Sequence, residues 1–194
     1  MAPPGWSTRE DLSEGDGKDV ITIGDSWMDY FGGGGGIEAG LDRAGTDYRH
    51  YSLSGTTLLS GQIPGQYTRA KNANPKISTV IMTGGGNDIL VADGFQFPGG
   101  EQCKELKESP TMMVCQDIVS TALTAAEKLM QTAADAGIRD VLYMFYPHIP
   151  GGGLAGENPN ALLDYALPKA KALCDGAQAK TQGKLRCHFI DLVP

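Results

Sequence analysis

Five short apolar stretches, separated by longer segments with helical spacing, set the pattern of the chain. The apolar stretches are rich in β-branched residues and are bounded by glycine, proline or polar residues, which is typical of strands. The predicted strands span residues 20–23, 48–53, 77–82, 139–146 and 185–192. The run at 77–82 is continuously apolar, as expected for a central strand of a parallel sheet that is covered on both faces.

Apolar residues at three- and four-residue spacing predict helices between these strands. The two clearest span 114–136, which stops at Gly137, and 158–182. Shorter or looser helical patterns cover 27–31, 37–44 and 58–72. Strands that alternate with helices indicate an α/β fold, in which a doubly wound parallel sheet is connected by right-handed crossovers.

Three segments lack a regular period. Residues 1–19 are polar and contain prolines and glycines, so we expect a flexible lead-in to a single domain formed by residues 20–194. The five consecutive glycines at 32–36 must interrupt any helix because their backbone entropy opposes it. Residues 91–110 are predicted to form a long loop. Long loops in compact domains are usually functional, so this one is expected to border the substrate.

Composition narrows the classes of function. Sixteen lysines and arginines against 23 acidic residues give a net charge of -7 without a basic stripe, so nucleic acid is not an expected partner. No apolar run approaches the ~18 to 20 residues of a membrane-spanning helix, so we expect no membrane span. The N-terminus also lacks the apolar core of a signal peptide.

The four cysteines fall into two close pairs, Cys103 with Cys115 and Cys174 with Cys187. Local pairing is favoured among the three possible connectivities, because a closed loop of ~15 residues contributes about 3 kcal/mol. The alternative is that all four are reduced and packed as small apolar groups. Disulfides form in oxidising compartments, so we predict a secreted or periplasmic protein whose signal peptide has been removed.

Candidate chemistry begins at residues 24–26, Gly-Asp-Ser, which place a hydroxyl at the turn that follows the first strand. In an open α/β sheet the carboxyl ends of the strands form the ligand crevice, and a helix N-terminus adds partial positive charge there. Ser26 is therefore a candidate nucleophile, with helix capping by Ser26 or Asp25 as the alternative. Two later blocks, 52–55 (SLSG) and 83–88 (TGGGND), end the next two strands at the same edge.

In order and context these three blocks resemble those of the SGNH hydrolases, also called GDSL-type esterases, over nearly the whole chain. The resemblance implies a flavodoxin-like, three-layer fold with strand order 2-1-3-4-5. It also implies a serine esterase that hydrolyses short-chain acyl or acetyl esters through an acyl-enzyme, and we expect neither a cofactor nor a metal.

The same resemblance assigns three catalytic residues. Ser26 would be the nucleophile, and its backbone N–H, the backbone N–H of Gly55 and the side-chain amide of Asn87 would stabilise the oxyanion. Glycine allows close approach of the backbone, and an asparagine amide donates without adding charge. The alternative is that Asn87 is an ordinary turn residue.

A serine hydroxyl also needs a general base, and the family's fourth block, Asp-x-x-His, has no match behind residue 88. His50 is expected at the start of the second strand, far from the carboxyl edge, and His188 as a packed residue of the fifth. His148 ends the fourth strand and is the internal candidate. We favour a role for His148 in the wall of the substrate pocket, together with Trp27 and Ile149. The general base is expected in a segment beyond residue 194, either attached to this chain or present as a separate fragment.

One further expectation comes from the resemblance, two come from the residues themselves, and one alternative function stays open. A terminal helix of the family would cover apolar surface beside the first strand. Asp25 is assigned a structural role, and Asp88 is expected to order the loop after the third strand. The absent histidine leaves a second hypothesis, a non-catalytic SGNH-like domain that binds an ester or a carbohydrate. Phosphate or flavin binding is not favoured, because no phosphate-loop spacing is present.

Overall fold

The structure is a computed structural model that describes residues 19–29, 36–90, 109–148 and 159–191. Five parallel strands form one sheet in the order β2-β1-β3-β4-β5. The strands are Val20–Ile23 (β1), Arg49–His50 (β2), Thr79–Thr83 (β3), Asp140–Met144 (β4) and Arg186–Ile190 (β5). This order confirms the predicted flavodoxin-like topology.

Helices connect the strands and cover both faces of the sheet. They are Gly36–Arg43 (α1), Gln62–Ala73 (α2), Gly86–Leu90 (α3), Ser109–Asp135 (α4) and Pro159–Lys180 (α5). The two long helices α4 and α5 confirm the clearest helical patterns of the sequence. Within the described ranges, no helix combines the length and apolarity needed to cross a bilayer.

The main apolar core lies between the sheet and the helices α2, α4 and α5. Ile21 and Ile23 of β1 pair in register with Val80 and Met82 of β3, and all four belong to this core. Each such side chain, when fully buried, contributes about 1.5–3 kcal/mol through removal of apolar surface from water. On the opposite face, Thr22 lies against α1.

The connection between β1 and α1 differs from the prediction. Residues 27–31 were expected to be helical, but the described part forms a turn, in which the N–H groups of Met28 and Asp29 both approach the Asp25 carbonyl, at 3.0 and 3.4 Å. The turn is continued by α1, whose Ile37 N–H donates to the Trp27 carbonyl at 3.0 Å. Residues 30–35 lie outside the described residues.

Helix α2 is more regular than its sequence indicates. Pro64 lies in its first turn, where a backbone N–H is not required for the helical hydrogen bonds, so the proline does not interrupt it. The five-residue helix α3 was not predicted. Two residues separate it from the end of β3, and it contains the last three residues of the third sequence block.

A disulfide joins Cys174 of α5 to Cys187 of β5, which confirms one predicted pair. Cys115 is disulfide-bonded as well. Its predicted partner Cys103 lies outside the described residues, as do residues 91–108 of the predicted loop 91–110 and the lead-in up to residue 18. Residues 109 and 110 of the predicted loop instead begin α4.

Exposure differs between the central strand β1 and the edge strand β5. Ile21, Thr22 and Ile23 are at most 1% exposed, so β1 is covered on both faces. The exposed part of the sheet is the edge strand β5, where exposed and half-buried residues alternate. His188 is therefore exposed rather than packed as predicted, and its Nε2 lies 3.1 Å from Oδ1 of Asp140 on β4.

Candidate active site

The serine turn begins where β1 meets its neighbour β3. Gly24 has a φ of 138°, and a Cβ at this position would lie 2.8 Å from the carbonyl oxygen of Thr83. Only glycine combines this backbone conformation with so close an approach. The chain therefore leaves the sheet at this point, and Asp25 and Ser26 follow at its carboxyl edge.

Asp25 makes the structural contacts predicted for it. Its Oδ1 accepts hydrogen bonds from the Trp27 N–H and from the Thr83 hydroxyl, both at 3.1 Å. Its Oδ2 is buried and has no hydrogen-bond partner among the described residues. Because complete burial disfavours the charged form, the pKa of Asp25 is raised to about 7.

The second sequence block is attached to the first by hydrogen bonds to Gly24. The Thr56 hydroxyl donates to the Gly24 carbonyl at 2.8 Å. Gln66 of α2 makes two hydrogen bonds to the same residue. Its Nε2 donates to the Gly24 carbonyl at 3.0 Å, and its Oε1 accepts from the Gly24 N–H at 2.6 Å. Gly55, in a left-handed conformation with φ 80°, is thereby held next to the serine turn.

Asn87 joins the third block to the second. It lies in the first turn of α3 and is 3% exposed. Its Nδ2 donates to the Thr56 carbonyl at 3.0 Å, and its Oδ1 accepts from the Tyr146 hydroxyl at 2.6 Å. The structure thus brings the three blocks that carry Ser26, Gly55 and Asn87 to one edge of the sheet.

Sequence reasoning missed Tyr146. It follows β4, is 4% exposed, and its hydroxyl interacts with Ser26 and Asp25 as well as with Asn87. Burial, followed by the negative charge of Asp25, raises its pKa well above 10, so the hydroxyl stays protonated. Its position at the carboxyl end of a strand was an available signal, but an aromatic residue there was interpreted as the end of an apolar run.

The predicted substrate-binding residues have different positions. Trp27 is half-buried, and its ring is tilted against that of Tyr146 at a centroid distance of 5.5 Å. His148 lies farther along the edge, where its Nε2 is 2.7 Å from Oδ1 of Asp164. It lines a cavity of about 300 Å³ together with residues of α5 and Phe189. Ile149 lies outside the described residues.

The position predicted for His50 is wrong. Because β2 has only two residues, His50 is its last residue rather than an early one, and it is buried at 3% exposure. Its Nδ1 lies 2.6 Å from Oε2 of Glu38 on α1, and its Nε2 lies 3.9 Å from Oδ2 of Asp29 in the serine turn. A buried histidine–carboxylate network therefore lies beneath the turn.

Hydrogen bonds to Glu38 dominate the electrostatics of this network. Burial alone would raise the pKa of Glu38, but the hydrogen bond and the electrostatic interaction with His50, together with the hydroxyls of Ser52 and Thr22, outweigh it, and the pKa is lowered. Both hydroxyls donate to Oε1 at 2.6 Å. The network thus connects α1, β1 and β2.

Within the described residues, Asp29, Glu38 and His50 are the one group of three that offers metal-ligand atoms close together. The separation of 2.6 Å between His50 Nδ1 and Glu38 Oε2 is a hydrogen-bond distance. Two ligands of one tetrahedral ion, each about 2.1 Å from it, would lie about 3.4 Å apart. The observed geometry therefore describes a hydrogen-bonded network rather than a metal centre.

Asp88 holds the segment that leads into α2. Its carboxylate accepts hydrogen bonds from the N–H groups of Leu58 and Leu59, at 3.1 and 2.8 Å. Burial raises its pKa above the ordinary value, whereas hydrogen bonds from backbone N–H groups, including that of Gly85 after β3, act in the opposite direction. Asp88 therefore joins the end of β3 to the segment that follows the second block, and the predicted loop after residue 90 lies outside the described residues up to residue 108.

No protein-family model matches the sequence, and a search of curated proteins finds no significant relative. Among solved structures, an acetyl xylan esterase variant from Geobacillus stearothermophilus has a TM-score of 0.53 at 16% identity, over 91% of this chain and 77% of that one. The shared feature is the fold. A protein from Lactobacillus plantarum aligns with a TM-score of 0.43 at 15% identity, over 90% of this chain and 77% of that one.

Proposed function

We propose that the protein is a serine ester hydrolase of the SGNH type that acts on short-chain acyl or acetyl esters. The observation that supports this proposal best is the hydrogen-bonded convergence of three sequence blocks at one edge of the sheet. Thr56 bonds to Gly24 of the first block and to Asn87 of the third. The likeness to an esterase supports it only at the level of the fold, since one fold hosts many activities.

In the proposed reaction, the Ser26 hydroxyl attacks the ester carbonyl, the alcohol departs, and water hydrolyses the resulting acyl-enzyme. The negative charge that develops on the carbonyl oxygen is stabilised by the N–H groups of Ser26 and Gly55 and by Asn87. A side-chain amide has two N–H donors, and the Thr56 carbonyl takes one of those on Asn87. The second N–H is the one we assign to the oxyanion.

The general base is proposed to come from a segment that follows residue 194. Among the described residues, none of the three histidines is hydrogen-bonded to Ser26: His50 contacts Glu38, His148 contacts Asp164 and His188 contacts Asp140. The gene sequence downstream of residue 194 tests this directly. We expect it to encode an Asp-x-x-His block, and a stop codon in its place would reject the proposal and make His148 the first candidate.

Around the reacting serine, Trp27 is the residue we propose as a wall of the acyl pocket. It is half-buried and directly follows Ser26, with its ring held against Tyr146. The proposed pocket continues along the sheet edge toward His148 and Ile149. The disulfide between Cys174 and Cys187 supports a location outside the reducing cytosol, which we propose to be extracellular or periplasmic.

Hydrolysis of p-nitrophenyl acetate tests the proposed function. The wild-type protein, in the form that carries its downstream segment, should turn over the ester, and Ser26→Ala should lose the activity by a factor of up to ~10⁶. An organophosphonate should label Ser26, as located by peptide mapping. The exposed Ser120→Ala is the matched control and should keep full activity. Turnover that survives Ser26→Ala would reject the assignment.

Within the described residues no histidine is hydrogen-bonded to Ser26, which favours a second candidate, a non-catalytic domain that retains the crevice and binds an ester or a carbohydrate. The same assay separates the two. A binding domain would show no Ser26-dependent turnover in any form of the protein, yet would bind the ester with an affinity that calorimetry can measure.

A further inference from the structure

We propose that Tyr146 is a positioning residue that fixes the orientation of the Asn87 amide. This inference rests on the proposed ester hydrolysis. Asn87 and Tyr146 are 59 residues apart, and their side chains are joined by a buried hydrogen bond of 2.6 Å. The side chain that carries the proposed oxyanion donor is thus oriented by the Tyr146 hydroxyl.

The orientation of the Asn87 amide follows from its two partners. The Thr56 carbonyl can only accept a hydrogen bond, so the amide nitrogen must face it. The amide oxygen must then face Tyr146, whose hydroxyl donates to it. Without this hydroxyl, one side of the amide would lose its partner, and rotation of the side chain would move the second N–H away from the oxyanion.

The Tyr146 hydroxyl donates its single proton to Asn87. Burial and the nearby carboxyl of Asp25 raise the pKa of Tyr146, so the phenol keeps this proton. The hydrogen-bonded chain therefore runs from Tyr146 through Asn87 to the Thr56 carbonyl.

The ring of Tyr146 is held firmly enough to act as a support. Trp27 lies on one side at 5.5 Å between ring centroids, and Phe145 lies at 6.5 Å. Gly86, which precedes Asn87, packs directly on the ring, and a Cβ at that position would overlap it. A phenylalanine at position 146 keeps these ring contacts and removes the hydroxyl alone.

Tyr146→Phe is the first test, in the same aryl-ester assay. We expect kcat to fall about tenfold, because loss of one ordinary hydrogen bond corresponds to about this factor in rate. KM should change little. In an Asn87→Ala background the second substitution should produce less than a twofold further loss, since the tyrosine acts through the amide. Fully additive effects or an unchanged kcat would overturn the inference.

Tyr143→Phe is the matched control. Tyr143 lies on β4, the strand that Tyr146 follows, and is fully buried. Its hydroxyl donates a hydrogen bond to the Gly84 carbonyl at 3.1 Å. Its loss should lower the urea midpoint about as much as Tyr146→Phe does, while kcat stays within twofold of the wild type. An equal loss of kcat in both variants would mean that Tyr146 acts through stability alone and would overturn the proposal.

A spectroscopic measurement tests the orientation without reference to catalysis. In the wild-type protein the two Nδ2 protons of Asn87 should give separate, sharp resonances in a nitrogen–proton spectrum. They should broaden or shift toward the positions typical of a mobile asparagine in Tyr146→Phe and stay unchanged in Tyr143→Phe. Unchanged resonances in Tyr146→Phe would overturn the inference. Turnover that does not depend on Ser26 would instead reject the proposed function, and the spectra would still show whether Tyr146 orients the Asn87 amide.

Discussion

At the scale of single residues, the candidate site is built from polar side chains that are buried but hydrogen-bonded. Asn87, Asp25 and Tyr146 are each at most 4% exposed, and each has at least one partner on another element. Burying such groups without partners would cost several kcal/mol each. Their orientations are therefore determined by their partners, and substitutions there should affect function and stability in separable ways.

Asn87→Ala tests the oxyanion donor. Loss of one such donor typically lowers kcat by ~100- to 1000-fold, because the stabilised charge exists only in the transition state. Steady-state kinetics with an aryl ester, together with circular dichroism to verify folding, provide the measurement. The exposed Asn72→Ala on α2 is the control, and turnover of Asn87→Ala equal to that of the control would contradict the assignment.

Asp25→Asn tests how the raised pKa of the buried Asp25 carboxyl affects the stability of the fold. The pKa of Asp25 is about 7 in the folded protein against 3.8 as the ordinary value, so the folded state keeps a proton that the unfolded chain releases. Asp25 therefore destabilises the fold progressively as the pH rises from about 4 to 7, by at most about 4 kcal/mol. Asparagine retains the Oδ1 acceptor and removes this dependence.

Urea unfolding at pH 4 and at pH 8 measures the effect. The stability of Asp25→Asn relative to the wild type should be higher at pH 8 than at pH 4, and the exposed Asp117→Asn should show no such difference. A relative stability of Asp25→Asn that is the same at both values would contradict the raised pKa.

At the scale of elements, the network of Glu38, His50 and Asp29 connects α1, β2 and the serine turn. These three elements are short, with eight residues in α1 and two in β2. Short elements have little intrinsic stability, so buried hydrogen bonds between them contribute a large part of their order. The N–H groups of Ile37 and Glu38 donate to the carbonyls of Trp27 and Met28 at 3.0 and 3.1 Å, so α1, held by its Glu38 side chain, supports the turn that carries Ser26.

Glu38→Gln tests how much the hydrogen bonds of Glu38 contribute to the stability of the protein. The pKa of Glu38 is lowered in the folded protein, so its stabilising contribution is present above the ordinary pKa of 4.5 and is lost as the pH falls through the folded value. The variant should lose about 1–3 kcal/mol at pH 7 and approach the wild type in acid. Chemical denaturation from pH 7 to pH 3 gives both curves, and Glu127→Gln on α4 is the control. A constant difference across this range would contradict the prediction.

At the scale of the whole molecule, the edge of the sheet is where the fold needs additional stabilisation. Strand β5 has a neighbour on one side only, and its residues are exposed or half-buried. The disulfide from Cys174 to Cys187 attaches this strand to α5 with a sequence separation of 13. Such a bond acts mainly by restricting the unfolded chain, so its effect is global.

Replacing Cys174 and Cys187 by alanine should lower the free energy of unfolding by about 3 kcal/mol. Urea unfolding under non-reducing conditions measures the change, while the disulfide of Cys115 stays intact. Lys171→Ala, which removes an exposed ion pair with Asp175 on the same helix, is the control and should cost less than about 0.5 kcal/mol. Equal unfolding midpoints for the two variants would contradict a stabilising role.

The sequence by itself determined the α/β class, the strands and long helices to within a few residues, and one disulfide pair. These features depend on local information, because hydrophobic period and turn residues act over a few positions. The strand order came from the resemblance of three blocks to a known family. The same local reasoning misplaced the helix after Ser26, since hydrogen bonds to the Asp25 carbonyl form a turn there.

Only the tertiary structure decided which side chains complete the site. Tyr146 lies 59 residues from Asn87, and the partners of His50 lie on the turn and on α1. Neither pairing leaves a periodic signal in the chain, because each depends on how strand ends are brought together at one edge. His188 shows the converse, since a position inside a predicted strand became exposed once that strand was found at the edge of the sheet. Burial and side-chain partnership are properties of the assembled layers, and strand order decides them.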